Sequence, residues 1–206
     1  MKKCLVWGLA LSFCAHVWAA ADLPVKLEKI HVDVHNRKAL IRGAVFFKQN
    51  CSSCHALKYL RYAALTKEAG LNYEHMPKHD PSSWSGHPPP DLSLIARVRG
   101  AAWLYTYLQS FYEDAERPGG SNNLLMHNTT MPNPFIGMQG PQVLQVSLAS
   151  VNQHPGEKHW YEVLHSRHAG MIPPGEFNNH LIDLVQYLEY AGDPSRVERE
   201  HLGYWV

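Results

Sequence analysis

The run Cys51-Ser52-Ser53-Cys54-His55 constrains this chain more than any other stretch, because it sets two thiols three positions apart and follows the second directly with an imidazole. Any fold must bring those three groups to one place. Four cysteines occur in all, and the other two, Cys4 and Cys14, lie in the first twenty residues. If that stretch is removed, the remaining chain holds only this pair. A tetrahedral zinc site needs further ligands, commonly a second cysteine pair, and none remains. A thioredoxin-like redox pair belongs in a β-α-β pattern, whereas a helical pattern precedes this one. A plain disulfide gives no reason for the adjoining His55. C-x-x-C-H is the spacing at which two thiols add to the vinyl groups of haem while the imidazole reaches the iron. The reading is one covalent haem c held by Cys51, Cys54 and His55.

Residues 1–21 open with Lys2 and Lys3, continue through an apolar run from Cys4 to Val17 and close on Ala19, Ala20 and Ala21. This is the pattern of a secretory signal peptide with a small-residue cleavage site. The apolar run is shorter than the roughly 20 residues that span a bilayer. Acylation at Cys14 is disfavoured by bulky Phe13 before it. Export fits a thioether-linked cofactor, which is attached outside the cytoplasm. The formal charge is +1 over 206 residues, and without the leader 17 basic side chains face 18 acidic ones. That balance gives no support to nucleic-acid binding. Residues 22–206 read as one domain.

The pattern predicts a helix over 37–50, with Leu40, Ala44 and Phe47 aligned beside Ile41 and Val45. Residues 58–69 have weaker helical character. From Gly70 to Pro90 the prolines forbid a long helix, so an irregular loop is expected. Asp91 or Ser93 is placed to cap a short helix through Arg99. Residues 101–113 form the next helix, with Trp103, Tyr107 and Phe111 spaced four apart as a core stripe. Residues 117–142 read as irregular, 143–148 as a strand, and 157–168 as a weak helix or turn. A helix over 177–191 buries Phe177, Leu181, Leu184, Val185 and Leu188 and is stopped by Gly192 and Pro194. The class is mainly α with little β.

With His55 on one side of the iron, the second axial position decides the chemistry. A thioether there raises the reduction potential, and an open position admits oxygen or peroxide. Met126, Met131, Met138 and Met171 all lie in irregular segments, where a methionine is ordinarily a gap filler. Periodicity does not choose among them.

The stretch from Cys51 through His55-Ala56-Leu57-Lys58-Tyr59-Leu60-Arg61-Tyr62, followed by Pro89-Pro90-Asp91-Leu92-Ser93-Leu94-Ile95-Ala96-Arg97, resembles cytochrome c1, the haem subunit of the quinol:cytochrome c reductase or cytochrome bc1 complex. Asn133-Pro134-Phe135-Ile136-Gly137-Met138 and Leu184-Val185-Gln186-Tyr187-Leu188-Glu189-Tyr190-Ala191-Gly192-Asp193-Pro194 fit the same family in order. The resemblance implies a class I cytochrome c-like haem domain with long irregular insertions. It implies Met138 as the sixth ligand, with Met131 and Met126 in reserve, Arg99 against a haem propionate, and Pro90 packed near the haem. Arg99 otherwise reads as a solvated cation at a helix end, and Pro90 as a plain helix starter.

The resemblance further implies electron relay on the periplasmic face of the bacterial inner membrane. Cytochrome b and the Rieske iron–sulfur subunit would be partners, and a cytochrome c-type protein the acceptor. Family members continue past a segment like His201-Leu202-Gly203-Tyr204-Trp205-Val206 into a membrane helix, so a truncated or lost anchor is expected here. The rival readings are a free periplasmic carrier and a peroxidase-type haem enzyme.

Overall fold

The computed structural model describes residues 23–60, 64–71 and 88–203. The signal-peptide expectation and most of the expected loop between Gly70 and Pro90 lie outside them. Two long helices organise the rest, α1 over Arg37–Asn50 and α7 over Pro174–Gly192. Asn36 caps α1, its side-chain oxygen accepting from the Ala39 N–H at 3.2 Å. Leu40, Gly43, Ala44 and Phe47 then fall on one buried face, as helical spacing requires. Pro174 opens α7, where its missing N–H costs nothing. The two helices cross at Gly43, where a Cβ would collide with the Asp183 carbonyl and lie 2.8 Å from Tyr187 Cβ. Beside the crossing, Arg42 grips the Asp183 carboxylate with Nε at 2.6 Å and Nη2 at 2.9 Å. Phe47 tilts against Tyr187 with ring centroids 6.0 Å apart.

Between them run α2 (Ala64–Glu68), α3 (Ile95–Arg99) and α4 (Ala101–Gln109). The last ends four residues before the expected Glu113. Its final turn is closed by side chains from far along the chain: Asn123 Nδ2 donates to the Tyr107 carbonyl at 2.8 Å, and Gln142 Nε2 donates to the carbonyls of Gln109 and Phe111. With those carbonyls satisfied, Phe111–Glu113 is diverted into β1, antiparallel to β2 (Ser121–Asn123).

The stretch expected to be irregular therefore holds β2 and the single turn α5 (Ile136–Gln139). The expected strand over 143–148 is β3 (Gln142–Leu144), paired antiparallel with β4 (Leu164–Ser166), and α6 (Leu148–Gln153) follows it, capped by Ser147. The region over 157–168 resolves into a 3₁₀ turn at Trp160–Glu162 and β4. After the Gly192-Asp193-Pro194 stop, the chain re-enters a helix, α8 (Arg196–Gly203), which buries no side chain.

The large core cluster joins α1, α4 and α7 through Phe47, Leu57, Phe111, Phe135, Leu181 and Tyr187. A smaller one gathers Val25, Tyr112, Leu124, Val151, Val163 and Leu164 beneath the hairpins. The extended N-terminal segment bridges the two halves, with Lys26 N–H donating to Lys158 O at 2.7 Å and Glu28 N–H to Thr106 Oγ1 at 2.8 Å. Helix predominates with little strand, as expected. Among the described residues no helix is long and apolar enough to cross a membrane.

Candidate haem site

The last turn of α1 delivers the attachment motif. Cys51 and Ser52 N–H both donate to Phe47 O, and Cys54 and His55 N–H both donate to Cys51 O at 3.1 and 2.8 Å. This tight turn puts two thiols and one imidazole on a single small knuckle. The thiols are not joined in a disulfide. Burial, reinforced by Cys54, pushes the Cys51 thiol up to about 12, so it stays protonated at neutral pH and is a poor nucleophile or thiolate ligand. A thioether, having no proton to lose, incurs no such penalty. Among the described residues no three His, Cys, Asp or Glu side chains converge as a metal-ion site.

His55 is 7% exposed, and its Nδ1 lies 2.8 Å from the Pro90 carbonyl. A carbonyl only accepts, so Nδ1 carries the proton and the ring's lone pair sits on Nε2. A hydrogen bond of this kind fixes the ring's orientation and strengthens the opposite nitrogen as a donor to metal. The partner segment is stitched to the motif along its length. Leu92 N–H donates to Ala56 O at 2.9 Å, Lys58 N–H to Asp91 Oδ2 at 2.8 Å, and Tyr59 N–H to Ser93 Oγ at 3.1 Å. Asp91 Oδ1 also accepts from Ser93 N–H at 3.0 Å. The sequence offers Asp91 or Ser93 as the cap of α3. Its N-cap is instead Leu94, with no side-chain bond, because both polar side chains are spent on the chain after His55. Pro90 lies five residues before α3 begins, so it does not start that helix, and its carbonyl is bonded to His55.

Arg99 is exposed and stacks its guanidinium 4.9 Å above the Trp103 ring. Trp103 stacks in turn on Tyr107 at 4.8 Å, one turn further along α4. The Tyr107 hydroxyl donates to Met131 Sδ at 3.5 Å. Burial pushes the Tyr107 phenol up, opposed by Thr129, so the hydroxyl remains a donor. One line of contacts therefore runs from Arg99 to Met131. Met138 sits on α5, whose preceding residue Phe135 is wedged between Phe46 of α1 at 5.6 Å and Phe177 of α7 at 5.5 Å. A second strap holds the Met138 turn: Met171 N–H donates to Gly137 O at 2.9 Å, and Gly170 lies so close to the Met138 carbonyl that no side chain fits there. Met126, Met131 and Met138 are all partly buried against the large core, as are Cys51 and Ala56. Met171 is exposed.

No protein-family model matches the chain. It is 33% identical over 199 aligned positions to cytochrome c1 of Allochromatium vinosum, covering 87% of this chain and 80% of that protein. The chain belongs to the cytochrome c1 family. A second relative of this cytochrome c1-like chain is the ammonia monooxygenase gamma subunit of Nitrosomonas europaea, 33% identical over 225 aligned positions, with 100% of this chain and 89% of that one covered. Family membership carries haem-based electron transfer and covalent haem c, and the residues present fit that group: two unbridged cysteines at the right spacing and an imidazole oriented through Nδ1. Sequence reasoning did not find the hydroxyl of Tyr107 or the wedge at Phe135. The four-residue spacing of Trp103, Tyr107 and Phe111 marked Tyr107 as core, which it is, and gave no sign that its oxygen meets a sulfur.

Proposed function

We propose that this protein relays single electrons through one haem c, from the iron–sulfur subunit of a quinol:cytochrome c reductase to a cytochrome c-type acceptor. Residues 22–206 act as one class I cytochrome c-like domain, exported by residues 1–21 and working beside cytochrome b on the periplasmic face of the inner membrane. The haem supplies a reversible one-electron store, and the chain's own residues set its surroundings. Cys51 and Cys54 fasten it, His55 presents Nε2 to the iron, and the Pro90 carbonyl holds that imidazole to one tautomer. Arg99 offers a guanidinium to a propionate, a pairing that favours the charged carboxylate. The observation that carries the reading is the His55–Pro90 bond beside two unbridged cysteines.

A methionine of the loop between Met126 and Met138 would supply the thioether that raises the potential of the bound haem. The family resemblance assigns Met138, and the strap from Met171 and the Phe135 wedge support a firmly placed turn there. A specific observation favours Met131 instead: its sulfur accepts from Tyr107 on the helix face that also carries Arg99 and Trp103. Met138→Leu and Met131→Leu decide between them. Loss of the near-infrared thioether-to-iron band and a lowered midpoint potential in only one variant names the ligand. A band surviving both substitutions passes the role to Met126, and its survival in Met126→Leu as well removes this loop from the role. The attachment itself is read separately. The pyridine spectrum of the wild-type protein reports two thioether links, Cys54→Ala reports at most one, and an unchanged spectrum in Cys54→Ala overturns the attachment.

The name of the Nitrosomonas relative favours one further context, electron delivery alongside an ammonia-oxidising enzyme. Co-purification separates the two: cytochrome b in the complex supports the reductase, and monooxygenase subunits in its place support the alternative.

A further inference from the structure

A patch of exposed hydrocarbon lies directly against the attachment loop. Tyr59 is 62% exposed, Leu94 44% and Val98 74%. Leu94 and Val98 share one face of α3, a turn apart, while Ala96 on the other side of that helix is buried. The Tyr59 N–H donates to Ser93 Oγ, so the tyrosine and the start of α3 are fixed side by side. Isolated apolar residues at a surface are ordinary, whereas three large ones on two segments that are hydrogen-bonded together call for an explanation.

Cations predominate around it, and the nearby Asp193 carboxylate is already held by Arg199. Lys58 holds its Nζ 5.2 Å over the Tyr59 ring, and Arg97 and Arg99 flank Val98. Among the described residues the one carboxylate in these segments is Asp91, and both its oxygens already accept backbone N–H groups from Lys58 and Ser93. The other exposed apolar pair, Ile136 and Met171, has no such rim in its own segments, Ile136–Gln139 and Gly170–Ile172. An apolar centre with a rim of net charge is how transient partners are steered and then seated.

We propose that Tyr59, Leu94 and Val98 form the docking surface for a small soluble redox protein that presents an acidic face, with Lys58 and Arg97 steering it. This deepens the electron-relay reading and rests on it. A partner seated here lies against the same few residues that carry His55 and its Pro90 brace, so the electron's path to it crosses little protein.

The test uses the full-length holoprotein with two probe carriers, a strongly acidic small cytochrome c and a strongly basic one. Electron-transfer rates are followed from 0.01 to 1 M salt, over which the Debye length falls from about 30 to about 3 Å. The acidic probe should react faster at low salt and slow as salt rises. Lys58→Glu and Arg97→Glu should each lower its low-salt rate about threefold to tenfold. Lys38→Glu should leave the rate unchanged, since Lys38 lies near the far end of α1, about 20 Å along the helix from Cys51. Independently of electron transfer, the Val98 methyl resonances should shift on titration with the acidic probe, and Val98→Asp should weaken that binding.

Preference for the basic probe, a rate that rises with salt, or unmoved Val98 methyls overturns the docking surface. A reducible holoprotein that passes electrons to neither probe overturns the relay reading instead, and the Val98 titration still decides the docking.

Discussion

Around the α1–α7 crossing the protein is held by hydrocarbon and by the bare backbone of Gly43. Around the end of α4 it is held by amide side chains, with Asn123 and Gln142 donating to carbonyls from residue 107 to 111. The first kind of contact is non-directional and grows with buried area. The second is directional, and its value lies mainly in the cost of leaving a buried carbonyl or amide unmatched. The helical half should therefore be most sensitive to added volume, and the hairpin half to lost donors.

The largest expected effect comes from Gly43→Ala. An exposed mid-helix glycine gains up to about 1 kcal/mol on this change. Here the new methyl meets the Asp183 backbone and Tyr187, and unfolding in urea should show a loss of about 3 kcal/mol. A stabilised variant would mean the helices do not cross so closely. Asn123→Ala comes next. It removes a buried donor to Tyr107 O and a partly buried acceptor for Leu125 N–H, at a cost of about 2 kcal/mol. Amide hydrogen exchange should quicken in β1 and β2 and stay slow in α1 and α7, and uniform quickening would dissolve the distinction between the halves.

The smallest effect belongs to neither half. Hydrogen bonding to Arg199 holds the Asp193 carboxyl at about 2, down from an ordinary 3.8. A depressed carboxyl contributes stability that is present above its unfolded value and is lost as pH falls from about 4 through about 2. Helix α8, which buries nothing and leans on this pair, should loosen over that window, with salt weakening it further. Carboxyl titration by NMR should return Asp193 toward 3.8 in Arg199→Ala, and an unchanged value would assign the shift elsewhere.

The same division governs what the sequence discloses. Helix α1 is legible to its last residue because the apolar rhythm of Leu40, Ala44 and Phe47 runs straight into the cysteine motif. Helix α7 is legible to within three residues because its rhythm from Phe177 to Leu188 meets the stop at Gly192 and Pro194. Helix α4 is overrun, since Phe111 continues its rhythm perfectly and the donors that end it lie 14 and 33 residues beyond Gln109. Helix α8 is missed because charge pairs rather than apolar spacing hold it. At the site, Cys51, Cys54 and His55 declare themselves, since their chemistry resides in their side chains. The role of Pro90 does not, because the atom it contributes is one every residue has.

The bond from His55 to Pro90, with its neighbours at Ala56, Lys58 and Tyr59, ties the attachment turn to a segment 35 positions further along. Because the acceptor is a main-chain carbonyl, no point substitution at position 90 deletes it. The tautomer of the imidazole is thus insured against single mutations in a way that a carboxylate or amide partner would not allow.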